Sequence, residues 1–307
     1  MARPSGTVFV VNPASANGST GKRWPEIRKR AAAVGLDGEA RISGGPGDIS
    51  ALTRNAVADG ADLIVAVGGD GTVNEAVNGL LRTGPDRVEL AVLPGGTGDD
   101  FARTFHIPGD LDRALEIAAS GVARAIDCGR ARFVGWDGVE EERYFANFAG
   151  AGISGAIARR GAVTSRRLGA RLAYFWATVA VFARWKSAEM RVQVDAQRRE
   201  GRMYEVLAAN GAYAAGGMWV APQAAPDDGL LDVVLIGDVT KAEFVATFPK
   251  IYRGTHVGHP KVEILRGAAV KVEADSPLPV VLDGEQPGTT PVTFGIAPGA
   301  LRVRVPS

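Results

Sequence analysis

The 307-residue chain has one cysteine, Cys128, three histidines and only 7% aromatic residues. A lone cysteine excludes an internal disulfide. With no Cys or His companion at ligand spacing it also excludes a structural zinc site, so a reducing, cytoplasmic setting is expected. An excess of one charge is missing as well: 35 Lys and Arg against 34 Asp and Glu leave a formal +1. That balance argues against nucleic acid as a partner. Runs long enough to cross a bilayer are absent too. Even "LAYFWATVAVFARW", apolar almost all round, falls short of the roughly 20 residues a span requires. The N-terminal "MARPSGTVFVVNP" carries an apolar run too short for a signal h-region, and nothing suggests export.

What is present is a hydrophobic content of 46%, enough for a large core in a chain of a length at which two domains are the default. The first third alternates strand and helix signals. "TVFVVNP", "ADLIVAVGGDG" and "VELAVLPGGTG" read as strands ending in turns, with "KRWPEIRKRAAAVG" and "VNEAVNGLLRTG" as helices between them. Continuous apolar runs at Leu63–Val67 and Leu90–Leu93 fit strands covered on both faces, as in a parallel sheet whose ligands bind at the carboxyl ends. Past about Arg124, strand-like pieces follow one another: "RYFANFAG", "EMRVQVDAQ", "MYEVLAAN", "LLDVVLIG", "AAVKVEAD", "LPVVLDGE" and "LRVRVPS". The fold class expected is therefore α/β, with an N-terminal Rossmann-like domain and a C-terminal β-rich, sandwich-like domain.

Two helical stretches interrupt the second half, about Leu168–Lys186 and Lys241–Tyr252. The first carries Arg166, Arg167, Arg171, Arg184 and Lys186 at its flanks. Two readings stay open for it: a buried helix, favoured because an interfacial helix shows a clearer polar face, and a contact with anionic head groups through the arginines. His256 and His259 have i, i+3 spacing but no third ligand, and read as structural histidines.

The chemistry lies in the loops. Gly68, Gly69 and Gly71 let backbone amides ring a phosphate. Asp70 in their midst is repelled by that phosphate unless a cation intervenes or a proton is to be removed, and phosphoryl transfer uses both arrangements. The simpler alternative is that Asp70 stabilises the following helix N-terminus. A second loop, "LPGGTGDDFART", repeats the grammar with the Thr97 hydroxyl, the paired carboxylates Asp99 and Asp100, and Arg103. A third acidic turn, "VVLDGEQPG", holds Asp283 and Glu285.

Taken together, "VNPAS", "GGDGTVNEAVNG", "PGGTGDDFAR", "PDDGLLDVV" and the late "DGE", in this order, resemble the soluble bacterial diacylglycerol kinase and sphingosine kinase-like lipid kinases, over nearly the whole chain. The resemblance implies a nucleotide-binding domain over 1–126, completed by 299–307, and a β-rich lipid-acceptor domain over 127–298, with the site in the cleft between them. It implies ATP as phosphoryl donor, Mg²⁺ as cofactor, and a lipid acceptor met at the inner face of the membrane. Nucleotide contacts are implied for Asn12, Pro13, Ala14, Ser15, Ser43, Gly68, Gly69, Asp70, Gly71, Thr72, Val73, Asn74, Glu75 and Thr97. A structural Mg²⁺ is implied at Asp228 with backbone oxygens of Ala225 and Leu230. The implied base is Glu285, or Asp283 as second choice, working with Asp70 and Asp100. The sequence departs from the family pattern at Asp99, where Asn is usual, and at Ala16, where Gly is usual. Ser43 replaces a common Thr and keeps the hydroxyl. An NAD kinase-like soluble-metabolite kinase and a non-catalytic nucleotide- or lipid-binding regulator are the alternatives.

Overall fold

The computed structural model describes residues 6–82, 88–96, 98–163 and 181–307. These divide into two compact units, Met1–Ile126 with Gly299–Ser307, and Asp127–Pro298.

The first unit is an α/β sandwich. Its elements run β1 (Thr7–Val11), α1 (Ser15–Ala33), β2 (Glu39–Ile42), α2 (Asp48–Ala58), β3 (Leu63–Gly68), α3 (Asp70–Leu81), β4 (Glu89–Pro94), α4 (Asp100–Thr104) and α5 (Leu111–Ser120). β1 pairs in parallel with β2 and β3, and β3 pairs in parallel with β4. Every residue of β1 and β3 is buried, as their unbroken apolar runs require of strands covered on both faces. Helices α2 and α3 pack closely because Gly79 has no side chain. A Cβ there would lie 2.7 Å from the Ser50 carbonyl oxygen. The sequence reading names neither β2 nor α2. β2 has no buried residue, so it lacks the apolar run that announces β1 and β3.

β5 (Val122–Gly135) leads into the second unit, which is dominated by antiparallel strands. These are β6 (Glu140–Phe145), β7 (Phe148–Gly152), β8 (Ala188–Val194), β9 (Gln197–Ala209), the short β10 (Tyr213–Ala214) and β11 (Met218–Trp219), β12 (Leu231–Gly237), β13 (Val262–Gly267), β14 (Ala269–Ala274), β15 (Pro279–Leu282) and β16 (Glu285–Val305). Two helices accompany them, α6 (Ile153–Val163) after β7 and α7 (Lys241–Ile251) after β12. The long β9 holds the unit together, pairing with β8 at its start and with β7 and β12 at its end. Alternate residues of these strands, among them Met190, Val192, Val206, Ala208, Val233, Val272 and Phe294, form one buried cluster. A mixed α/β chain with a β-rich second half is what the sequence patterning predicts. Of the expected helix at Leu168–Lys186, residues 168–180 lie outside the described residues, as do the flanking Arg166 and Arg167, and Thr97.

Candidate active site

The phosphate-loop candidates of the first unit sit at the carboxyl ends of parallel strands. After β3, the chain enters α3 through Gly69, which is extended and offers no side-chain cap. A helix N-terminus without such a cap suits an anion, which the helix dipole also favours. After β4, the second glycine loop lies against the first. The Gly95 N–H donates to the Gly68 carbonyl oxygen at 2.9 Å, and a Cβ on Gly96 would lie 2.6 Å from Gly69 Cα. Only glycine permits that approach.

Asp70 is the first residue of α3, but its carboxylate reaches across to the other loop, where Oδ1 accepts the Phe101 N–H at 3.0 Å. Burial raises its pKa, and the backbone donors, Phe101 first, oppose the shift. The helix-capping alternative is thus too narrow: Asp70 ties the two loops together. Asp99 takes the left-handed conformation at φ 50° and accepts the Gly96 N–H at 2.9 Å. Burial, followed by the charge of Asp70, raises its pKa to about 6. Asp100 is buried, and Arg103 Nε lies 4.0 Å from its Oδ1.

The loop after β1 joins the same end of the sheet. Asn12 Nδ2 donates to Thr72 Oγ1 at 3.1 Å, and Asn12 Oδ1 accepts the Ala14 N–H at 3.0 Å. Ser15 Oγ lies 3.0 Å from the Asn12 carbonyl oxygen and 2.6 Å from Thr20 Oγ1, which in turn lies 3.5 Å from the Gly95 carbonyl oxygen. Beyond Pro13, residues Ala16, Asn17 and Gly18 all have positive φ. Ala16 pays there for the Cβ that a glycine lacks. Ser43, after β2, bonds its own loop through Gly45. Glu75 accepts the Gly47 and Ile49 N–H groups, each at 3.0 Å, so its carboxylate shapes the loop that starts α2. Val73 and Asn74 are buried in α3.

In the second unit, Asp283 and Glu285 have divergent surroundings. Asp283, at φ 45°, accepts three backbone N–H groups, from Ala146 at 2.7 Å, Asn147 at 3.0 Å and Phe148 at 2.8 Å. It is a clamp on the start of β7. Glu285 opens β16 and is exposed.

The Asp228 loop is also held from within. Asp127 Oδ2 accepts the Gly229 N–H at 2.7 Å, and the Asp127 N–H donates to the Pro226 carbonyl at 2.7 Å. Asp228 Oδ1 accepts the Leu230 N–H at 3.0 Å, and Oδ2 pairs with Arg266. Nearby, Asp232 is buried on β12 with Oδ1 lacking a hydrogen-bond partner and 3.6 Å from Arg266 Nε. Burial raises its pKa. Oxygen-only donors and an orphaned buried carboxylate oxygen fit a hard divalent cation, although Arg266 already neutralises part of that charge. Among the described residues no cluster of three or more His, Cys, Asp or Glu is poised around one point. His256 is buried with Nε2 3.1 Å from the Val220 carbonyl oxygen, and His259 Nδ1 accepts the Lys261 N–H, so both serve the local fold.

Residues 6–131 match the family described as "Diacylglycerol kinase catalytic domain", and residues 148–305 match "YegS C-terminal NAD kinase beta sandwich-like domain". The chain belongs to the diacylglycerol kinase family of lipid kinases. Among its relatives, the Diacylglycerol kinase of Staphylococcus carnosus (strain TM300) is 26% identical over 286 residues, covering 93% of this chain and 90% of that protein. The one from Staphylococcus aureus (strain MRSA252) is 27% identical, covering 93% and 88%. Two solved structures from Bacillus anthracis str. Sterne, the second named as a diacylglycerol kinase, share the fold of this lipid kinase. Their TM-scores are 0.79 and 0.71, with 24% and 23% identity, 97% of this chain covered in each case, and 94% and 96% of theirs. A yeast NADH kinase solved with NADH shares the fold more distantly, at TM-score 0.51 and 13% identity over 98% of this chain and 79% of its own.

Sequence reasoning missed Thr20, Asp127, Asp232 and Asn210, whose Nδ2 bonds the Asp127 and Ala146 carbonyl oxygens. One signal was available: Asp232 interrupts the apolar run "LLDVVLIG", and an acid inside a buried strand asks for a partner.

Proposed function

We propose that this lipid kinase transfers the γ-phosphoryl group of ATP to the hydroxyl of diacylglycerol or a closely related lipid. The first unit is read as the nucleotide-binding domain and the second as the acceptor domain. The observation that carries this reading is the mutual locking of the loops after β3 and β4, which brings glycine amides and the carboxylates of Asp70 and Asp99 together where α3 and α4 begin. Such amides bind phosphate. Asn12, Ser15, Ser43 and Thr72 offer hydroxyl and amide groups at the same strand ends, and Thr97 is assigned to this set from the resemblance alone. Mg²⁺, when bound, neutralises charge on the phosphates and leaves Asp70 facing an attraction in place of a repulsion. At the other proposed cation position, Asp228 with the Ala225 and Leu230 carbonyl oxygens would hold the ion.

Glu285 is the proposed acceptor of the hydroxyl proton. Asp283 accepts three backbone N–H groups, from Ala146, Asn147 and Phe148, which commits its carboxylate to the local fold. Glu285 stands exposed at the start of β16, and Asp283 is assigned the task of fixing the turn that presents it.

The test is to incubate purified protein with labelled ATP, Mg²⁺ and a panel of diacylglycerol, phosphatidylglycerol, ceramide, sphingosine and NAD. Label in diacylglycerol is expected. Label in NADP, or none in any lipid, would reject the reading. Glu285→Gln should lower kcat by about 10²-fold or more while leaving the KM for ATP near wild type.

A further inference from the structure

Helix α7 has no buried residue. Its inner face rests on the second unit through the Phe244 ring, stacked 3.5 Å from that of Phe182, and Phe248, one turn on, lies 5.4 Å from Phe244 within the helix. The outer face carries Ala242, Val245, Ala246, Pro249 and Lys250, all exposed, whereas the Lys241 ammonium turns inward, donating to the Phe182 and Trp185 carbonyl oxygens and lying over the Phe182 ring. Val245, 69% exposed, and Tyr252, 48% exposed, are seven residues apart and so lie on one side of the helix. Val257, in the 3₁₀ turn Thr255–Gly258 that packs against α7, is a third large apolar residue in solvent.

Charge identifies what covers this stripe. Between residues 241 and 261 the basic residues are Lys241, Lys250, Arg253 and Lys261, and the acid is Glu243 alone. Glu243 is occupied: its Oε2 takes the Lys261 ammonium at 2.8 Å and the Thr240 N–H at 2.6 Å in a capping box. Asp238, just before the helix, accepts the Ser187 hydroxyl at 2.6 Å. With Lys241 held by the Phe182 and Trp185 carbonyl oxygens and Lys261 paired to Glu243, Lys250 and Arg253 are the cations beside the apolar stripe. Protein interfaces deplete lysine, whereas Lys and Arg beside an apolar face are characteristic of a helix lying at a membrane surface.

We propose that α7 and the following 3₁₀ turn form a seat for an anionic lipid bilayer. Val245, Tyr252 and Val257 enter the head-group boundary, and Lys250 and Arg253 meet lipid phosphates. The contact goes beyond the kinase reading, since it is independent of what the protein phosphorylates. It gives a protein of near-zero net charge a local and reversible attachment.

The full chain is sedimented, without nucleotide, with vesicles of phosphatidylcholine alone or with added phosphatidylglycerol. The expected result is binding to the anionic vesicles only, weakened about tenfold or more at low salt by Lys250→Glu with Arg253→Glu and less at high salt. Val245→Glu should weaken it similarly. The milder Lys250→Gln with Arg253→Gln keeps the test meaningful if a charge reversal impairs folding, which thermal melting monitors. Activity on a short-chain soluble acceptor should stay near wild type in all variants. Unaltered sedimentation of the variants, equal binding to neutral vesicles, or a dimer that Val245→Glu converts to monomer would overturn the proposal. Vesicle binding by a protein that labels no lipid would instead reject the kinase reading and leave this one standing.

Discussion

Glu205 on β9 is 1% exposed, with its carboxyl held between the Ser154 N–H at 2.6 Å and the Ser154 hydroxyl at 2.8 Å. Gly150 on the neighbouring strand makes the room, since a Cβ there would lie 2.6 Å from Glu205 Oε1. Two neutral donors do not offset desolvation, and burial raises the pKa from 4.5 to about 8. The folded state therefore binds this proton more tightly than the unfolded state. Its contribution is fully present below pH 4.5 and is lost as pH rises to about 8. Within that window each pH unit costs up to about 1.4 kcal/mol. Thermal melting should show wild-type Tm falling between pH 6 and pH 8.5, and Glu205→Gln should flatten that decline. An equal slope in the variant would mean that Glu205 is not the titrating group. Such a residue is hard to read in "MYEVLAAN", where an isolated acid in a strand suggests the solvent face. Asp70 was legible because a carboxylate among phosphate-loop glycines is chemically odd wherever it points. Asp283 was singled out by the sequence only as a candidate base; its three N–H donors come from β7 and its approach, far away in sequence, so its clamping role was not legible.

At the scale of elements, the strands that bury both faces announced themselves, and β2, whose residues are partly exposed, did not. The pairing of the loops after β3 and β4 was inferable from their shared grammar, but the contact of Gly69 with Gly96 depends on register that no motif encodes. That contact makes a prediction. In Gly96→Ala the new methyl would lie 2.6 Å from Gly69 Cα and 2.7 Å from Asp99 Oδ1, so one loop must retreat from the other. If the loops form the proposed phosphate cradle, a displacement near 1 Å costs about 10²-fold in kcat/KM, and Tm should fall by several degrees. Gly71→Ala meets no atom within 4 Å and serves as the control for stability. A Gly96→Ala enzyme with wild-type KM for ATP would show that the loops do not act as one cradle.

At the scale of the whole chain, the first unit is completed by residues that come last. "LRVRVPS" alternates as a strand should, yet alternation says nothing about which sheet receives it. The end of β16 pairs in parallel with β4, Arg302 opposite Glu89 and Val303 opposite Leu90. Arg304 Nε reaches Glu89 at 2.7 Å, and its Nη1 donates to the Ala118 and Ala119 carbonyl oxygens at 2.5 and 2.9 Å, which fixes α5 as well. Leu301, Val303 and Val305 are buried at 2%, 0% and 9% exposure. Three such side chains contribute about 1.5–3 kcal/mol each, a sum comparable with the whole stability of a domain. Deleting residues 299–307 should therefore unfold the first unit while sparing the second, whose buried cluster draws on β5 to β16 without them. Hydrogen exchange read by mass spectrometry should show protection lost over 88–94 and 111–121 and kept over 188–209. If 88–94 stays protected in the deletion, the returning strand is a decoration on an already stable sheet. Uniform loss over all three segments would instead mean that the two units fold as a single cooperative body.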